Sequence, residues 1–218
     1  VPTSASLGPI ELFVDLNCPF CFCQIDRVLK LGVGEIVTWR GVEHAPDLPA
    51  PPDRRHPFAN RLRSELKRLK EREPDFVISD PGFVVSTNLV NQWLQAIARI
   101  APSRLWEAVH AVGAALWRQQ VDVSSRAELA RIGNQLGLTA IAIEEQDIEL
   151  VRKNSAQWRA GPFEGQLPAA RSTHGATLLG LNEEERFSLF VRSGKFSVRN
   201  GDSCEVLVSE ATAIKRSA

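Results

Sequence analysis

Cys18-Pro19-Phe20-Cys21 is the stretch of this 218-residue chain whose residue types and spacing specify the most definite chemistry. Two thiols three positions apart at the start of a helix share one face, so they can close and reopen a disulfide. Proline is favoured at the first helical position, because its missing N–H would be an orphan there and its φ is already helical. Cys18 then becomes the cap residue. Its sulfur faces the free N–H groups of Phe20 and Cys21, at the positive end of the helix dipole. Thiolate is the nucleophilic form of cysteine, and this setting favours it, with a thiol pKa expected below about 8.5. Cys18 is the expected nucleophile and Cys21 its resolving partner.

The elements that position this pair can be read on either side of it. Ile10 to Leu16 is dense in apolar and β-branched residues and reads as a short buried strand. Gln24 to Leu31 carries Ile25, Val28 and Leu29 at helical spacing. Strand, Cys-x-x-Cys, helix is the context in which the motif means thiol redox chemistry rather than metal binding. Glu35 to Arg40 reads as a second strand, parallel to the first through a right-handed crossover.

Farther on, Pro46, Pro49, Pro51, Pro52 and Pro57 make residues 44–56 an irregular linker. Helices are expected over 61–72, with Leu62, Leu66 and Leu69 on one stripe, and then over 87–101, 103–119, 125–137 and 140–160. Ser103 and Ser125 are their candidate caps, the latter with Glu128 in a capping box. Strand character returns after Leu167-Pro168, where Ala169–Ser172 and Ala176–Leu181 flank a Thr173-His174-Gly175 turn. Asn182 is the candidate cap of a last helix, over 183–192.

The expected fold class is thus α/β: a discontinuous sheet domain over 10–50 and 161–193, with an all-helical domain over 57–160 inserted after the second strand. Residues 194–218 would form a tail or a hairpin turning at Asn200-Gly201.

Composition narrows the function classes. Lys plus Arg equals Asp plus Glu, so net charge is zero and nothing points to nucleic acid or an anionic membrane surface. No apolar run approaches the roughly 18 residues of a membrane span. Residues 1–9 show no signal-peptide pattern, which favours a cytoplasmic placement; the first residue is not Met, so periplasmic placement after removal of a leader stays open. Three of the four cysteines fall within six residues, which is no secreted-type disulfide framework.

Strand-CPFC-helix, a helical insertion and a late Leu-Pro-strand hairpin resemble the thioredoxin superfamily, and within it the DsbA-like branch and its FrnE-like proteins. Asp15, three residues before Cys18, and the segment Glu43-His44-Ala45-Pro46-Asp47-Leu48-Pro49 carry the finer likeness. The resemblance implies a thioredoxin fold and a thiol–disulfide oxidoreductase. Cys18 would be its exposed nucleophile, Cys21 its resolving thiol, and Pro168 a cis-proline lying against the Cys18 sulfur. Pro19, Phe20 and Leu167 would contact substrate, a protein or small-molecule thiol or disulfide. No metal or other cofactor is implied beyond the redox disulfide, with glutathione as a possible co-substrate; oligomeric state is left open.

This sequence departs from that pattern in two places. No His stands between the cysteines, so a strongly oxidising potential is not implied. Asn91-Gln92-Trp93-Leu94 occupies the place of an Ala-His-Arg-Leu stretch usual in FrnE-like proteins.

Asp15 reads either as a buried base for Cys21 or as a strand-end hydrogen-bonding residue. Cys23, about 140° round the helix from Cys18, reads as a buried inert thiol. Cys204 reads as a free thiol. A zinc site from all four cysteines does not fit the spacing at a helix start, and none of the four histidines is placed beside Cys18 by sequence alone. Two other functions stay open: a glutathione-dependent isomerase or transferase of the kappa and hydroxychromene-carboxylate isomerase type, in which Ser typically replaces Cys18, and a non-enzymatic metal- or partner-binding protein. The helical block is expected to roof an apolar groove over the motif.

Overall fold

A computed structural model of the chain describes residues 9–198 and 201–203. The apolar run after Pro9 forms β1 (Ile10–Val14), the central strand beside which the rest of the sheet assembles. Helix α1 (Pro19–Lys30) follows at once, and β2 (Val37–Gly41) returns parallel to β1, Ile10 opposite Val37 and Val14 opposite Gly41. The late hairpin supplies β3 (Ala169–Arg171) and β4 (Thr177–Leu179). β3 runs antiparallel to β1, giving the order β2-β1-β3-β4. Helix α7 (Glu184–Ser193) closes the unit and ends at Gly194, whose φ of +60° suits a left-handed cap.

Between β2 and β3 lie α2 (Phe58–Arg72), α3 (Asn88–Ile100), α4 (Leu105–Trp117), α5 (Arg126–Gln135) and α6 (Glu145–Ala160). These helices share one apolar core with the sheet unit. Leu12 and Phe13 of β1, Phe22 and Ile25 of α1, and Val112 and Trp117 of α4 all belong to it. Two indoles fasten the insertion to the sheet unit: Trp117 Nε1–H donates to the Leu16 carbonyl at 2.8 Å, and Trp106 Nε1–H to the Gly34 carbonyl at 3.0 Å.

The helix starts differ from expectation where a side chain found another partner. Ser103 lies in a 3-10 turn, Pro102–Arg104, ahead of α4 and caps nothing. Ser125 sits at the cap position of α5 without a capping bond, and Glu128 pairs with Arg131 instead. Asn182 turns its amide back onto the Leu179 and Gly180 carbonyls, which leaves Glu183 as the cap of α7. The helix expected from residue 140 begins at Glu145. Ala140 takes a positive φ of 55°, and Glu144 with Asp147 makes a reciprocal capping box that fixes the later start. Val198 bridges to Leu178, but Asn200 and Cys204 lie outside the described residues, and with them the expected terminal hairpin and the role of that cysteine. Among the described residues, no helix is long and apolar enough to cross a membrane.

Candidate active site

The carboxyl ends of β1 and β2 and the start of α1 meet at one edge of the sheet. Cys18 is the cap residue of α1, in extended conformation (φ −100°, ψ 118°), with Pro19 at the first helical position. Cys18 makes no side-chain capping bond of the usual kind at this helix start. Cys21 hydrogen-bonds to Cys18, and none of Cys18, Cys21 and Cys23 is in a disulfide. Burial, then the hydrogen bond and charge of Cys18, push the Cys21 thiol well above its ordinary value. Cys23 is raised by burial to about 12, as suits an inert structural thiol. Among the described residues no group of three or more His, Cys, Asp or Glu side chains is arranged to hold a metal ion.

Pro168 stands one residue ahead of β3. Because Ala169 pairs with Phe13, it lies at the same sheet edge as Asp15 and Cys18. Its bond to Leu167 is cis, as the resemblance implies. Trp158 donates to the neighbouring Gln166 carbonyl at 3.0 Å, and the Phe163 ring packs on Phe13 with centroids 4.8 Å apart.

One expectation is overturned. Cys18 is 0% exposed rather than an exposed nucleophile, and Pro19, Phe20, Leu167 and Pro168 are buried as well. Helix α2 packs on α1, where Arg68 stacks over the Phe20 ring at 5.4 Å and Glu73 binds Arg27. Apolar walls exist beside the motif, from Leu48, Phe58, Leu62, Phe83 and Val85, with Asn17 lining the same crevice. The space between them is about 10 Å³, room for one water at most. The groove is shut.

Asp15 is the hub of a buried polar cluster. Its Oδ1 accepts from the Thr87 hydroxyl at 2.5 Å and from the Asn17 N–H at 3.4 Å. Its Oδ2 accepts from the His44 backbone N–H and from His44 Nδ1, each at 2.9 Å. Of the two readings of Asp15, the hydrogen-bonding one is directly visible. Asp15 also reaches the thiols, since its carbonyl accepts the Cys18 N–H at 3.1 Å and its backbone bonds to Cys21. Burial works to lower the His44 pKa, but the hydrogen bond and charge of Asp15, with pulls from Cys18 and Glu65, raise it above 6.5.

His44 and Thr87 are the members that sequence reading missed. A signal for His44 did exist. β1 and β2 run parallel in register, and the Val42 N–H bonds to the Val14 carbonyl, so residues just past β2 must lie beside Asp15. Thr87 carried no such signal. Asn91 donates to the Val42 carbonyl at 3.0 Å and braces the same corner.

A solved structure of a candidate protein disulfide isomerase from Nitrosomonas europaea superposes on this architecture with a TM-score of 0.61. The match covers 80% of this chain and 89% of that one, at 16% sequence identity. The fold is the thioredoxin fold with a helical insertion. No protein-family model matches the sequence, and no curated protein is similar enough to count as a match.

Proposed function

We propose that the protein is a thiol–disulfide oxidoreductase that works by dithiol–disulfide exchange through Cys18 and Cys21, and that it belongs with the DsbA-like, FrnE-like proteins its motifs resemble. The observation that carries this reading is the hydrogen-bonded dithiol at the start of α1. In the exchange, the Cys18 thiolate attacks one sulfur of a substrate disulfide and expels the other as a thiolate. Cys21 then loses its proton and attacks the Cys18 sulfur, which releases the second substrate thiol and leaves a Cys18–Cys21 disulfide. The substrate is reduced, the protein is oxidised, and the two thiol protons end on the two product sulfurs. Run backwards, the same steps oxidise a dithiol. The raised pKa of Cys21 suits it to act second, because it stays protonated until the mixed disulfide has formed.

The partner is a protein or small-molecule thiol or disulfide, with glutathione a candidate for the second half-reaction. Leu167, Pro168, Pro19 and Phe20, the residues the family resemblance assigns to substrate contact, are the ones a substrate would meet beside Cys18. Trapping tests the order of events. With Cys21→Ser, oxidised glutathione should leave a stable mixed disulfide on Cys18, whereas Cys18→Ser should trap none at Cys21. A mixed disulfide formed equally well on either remaining cysteine would refute the assignment of roles.

A further inference from the structure

We propose that His44, held in place by Asp15, is the buried cation that stabilises the Cys18 thiolate, a role that rests on the dithiol reading above. His44 and Asp15 are each 2% exposed or less. An ionised carboxylate only accepts hydrogen bonds, so Nδ1 must carry the proton that it shares with Asp15. The other ring nitrogen, Nε2, is sealed from solvent and has no hydrogen-bond partner. Partnerless buried polar atoms are exceptions that call for a reason. The reason lies in what surrounds this one.

The titratable groups acting on His44 are Asp15 at the end of β1, Cys18 on α1 and Glu65 on α2. Glu43 precedes it in the chain and carries its own interaction with Asp15, and Cys21 hydrogen-bonds to Cys18. Asp15 is engaged by four donors, and Glu65 is paired with Arg61 at 3.2 Å. Of the three groups that act on His44 directly, Cys18 is the one whose charge changes during thiol exchange. A fixed imidazolium acting on it favours the thiolate in addition to whatever the helix start supplies. His44 keeps its proton throughout, so the exchange step balances as written above. Asp15 is a positioning residue: it sets the ring orientation and the tautomer.

The test is the pH dependence of Cys18 ionisation in the reduced full-length protein. It would be followed by site-resolved alkylation with iodoacetamide and, independently of reagent access, by the ultraviolet absorbance of the thiolate. The variant is His44→Asn, whose amide N–H can still reach Asp15 but carries no charge. The midpoint for Cys18 should move up, and labelling near neutral pH should fall about tenfold per unit of that move. The rate at the alkaline plateau should match the wild type, because a merely structural role alters access and moves the plateau, not the midpoint. An unchanged midpoint overturns the proposal.

Should His44→Asn fail to fold, the wild type carries the test. Coupling between two sites is reciprocal, so NMR titration of the His44 ring should give a lower pKa in the disulfide form than in the dithiol form. Identical titrations in the two forms overturn the proposal while leaving the dithiol reading intact. Absence of any Cys18–Cys21 disulfide under oxidised glutathione removes both.

Discussion

At the residue scale, the chemistry of the site is decided by how each ionisable group is compensated for being out of water. Cys21 and Cys23 have little to offset burial and are held as thiols. His44 is buried just as fully, yet Asp15 more than offsets the loss of solvent and lifts it above 6.5. That raised value has a consequence for stability. The protonated ring is favoured in the folded state, so its contribution is complete below about pH 6.5, the unfolded value, and fades as pH climbs through the higher folded value. Unfolding by urea at a series of pH values should show wild-type stability falling across that window, and His44→Asn should remove this part of the fall. Parallel curves for the two proteins would mean that His44 is not ionised in the folded state near neutrality.

At the element scale, α1 is pinned between the sheet and α4, and one glycine sets how close the two helices approach. A methyl group on Gly113 of α4 would stand 2.5 Å from Phe22 Cδ2 and 2.8 Å from Cε2. Gly to Ala inside a helix ordinarily gains about 0.8–1.0 kcal/mol. Overpacking a filled core costs about 1–3 kcal/mol. Phe22 is fully buried against Phe76 and under Arg118, so it has nowhere to go and the steric cost should win. Gly113→Ala is expected to lower stability by about 1 kcal/mol in chemical denaturation. A gain would show that Phe22 can move aside.

This is also the scale at which the sequence was most and least informative. The strand and helix around Cys18 and the hairpin after Pro168 were legible, because each is coded by a local apolar period and its punctuation. Serine and asparagine caps were over-read, since a cap depends on whether the side chain finds a better partner, as Asn182 does in the Leu179 and Gly180 carbonyls. The cluster of Asp15, His44 and Thr87 joins three separate segments, and no local pattern marks such a meeting.

At the scale of the whole molecule, the helical insertion is a structural partner of the sheet rather than a detachable roof. Leu12, Trp117, Trp158 and Phe187, from β1, α4, α6 and α7, lie in one continuous core. A chain of this length could unfold in two steps if the insertion were separate. The shared core argues for one. Calorimetry should give a single transition whose calorimetric and van't Hoff enthalpies agree, and two resolved transitions would place a boundary between sheet and insertion. The same continuity explains why the expected groove is closed. The walls of the crevice beside Asn17 come from the 44–56 segment, α2, the 81–85 segment and α4, all packed into that core.

The most direct measurement of the central claim is equilibration of the full-length protein with graded ratios of reduced to oxidised glutathione, quenched in acid and resolved by mass spectrometry. A reversible dithiol should pass cleanly from two thiols to a Cys18–Cys21 disulfide, with a two-electron slope and the same curve from either direction. Glutathione left on Cys18 with Cys21 still free, or no change at Cys21 at any ratio, would contradict it.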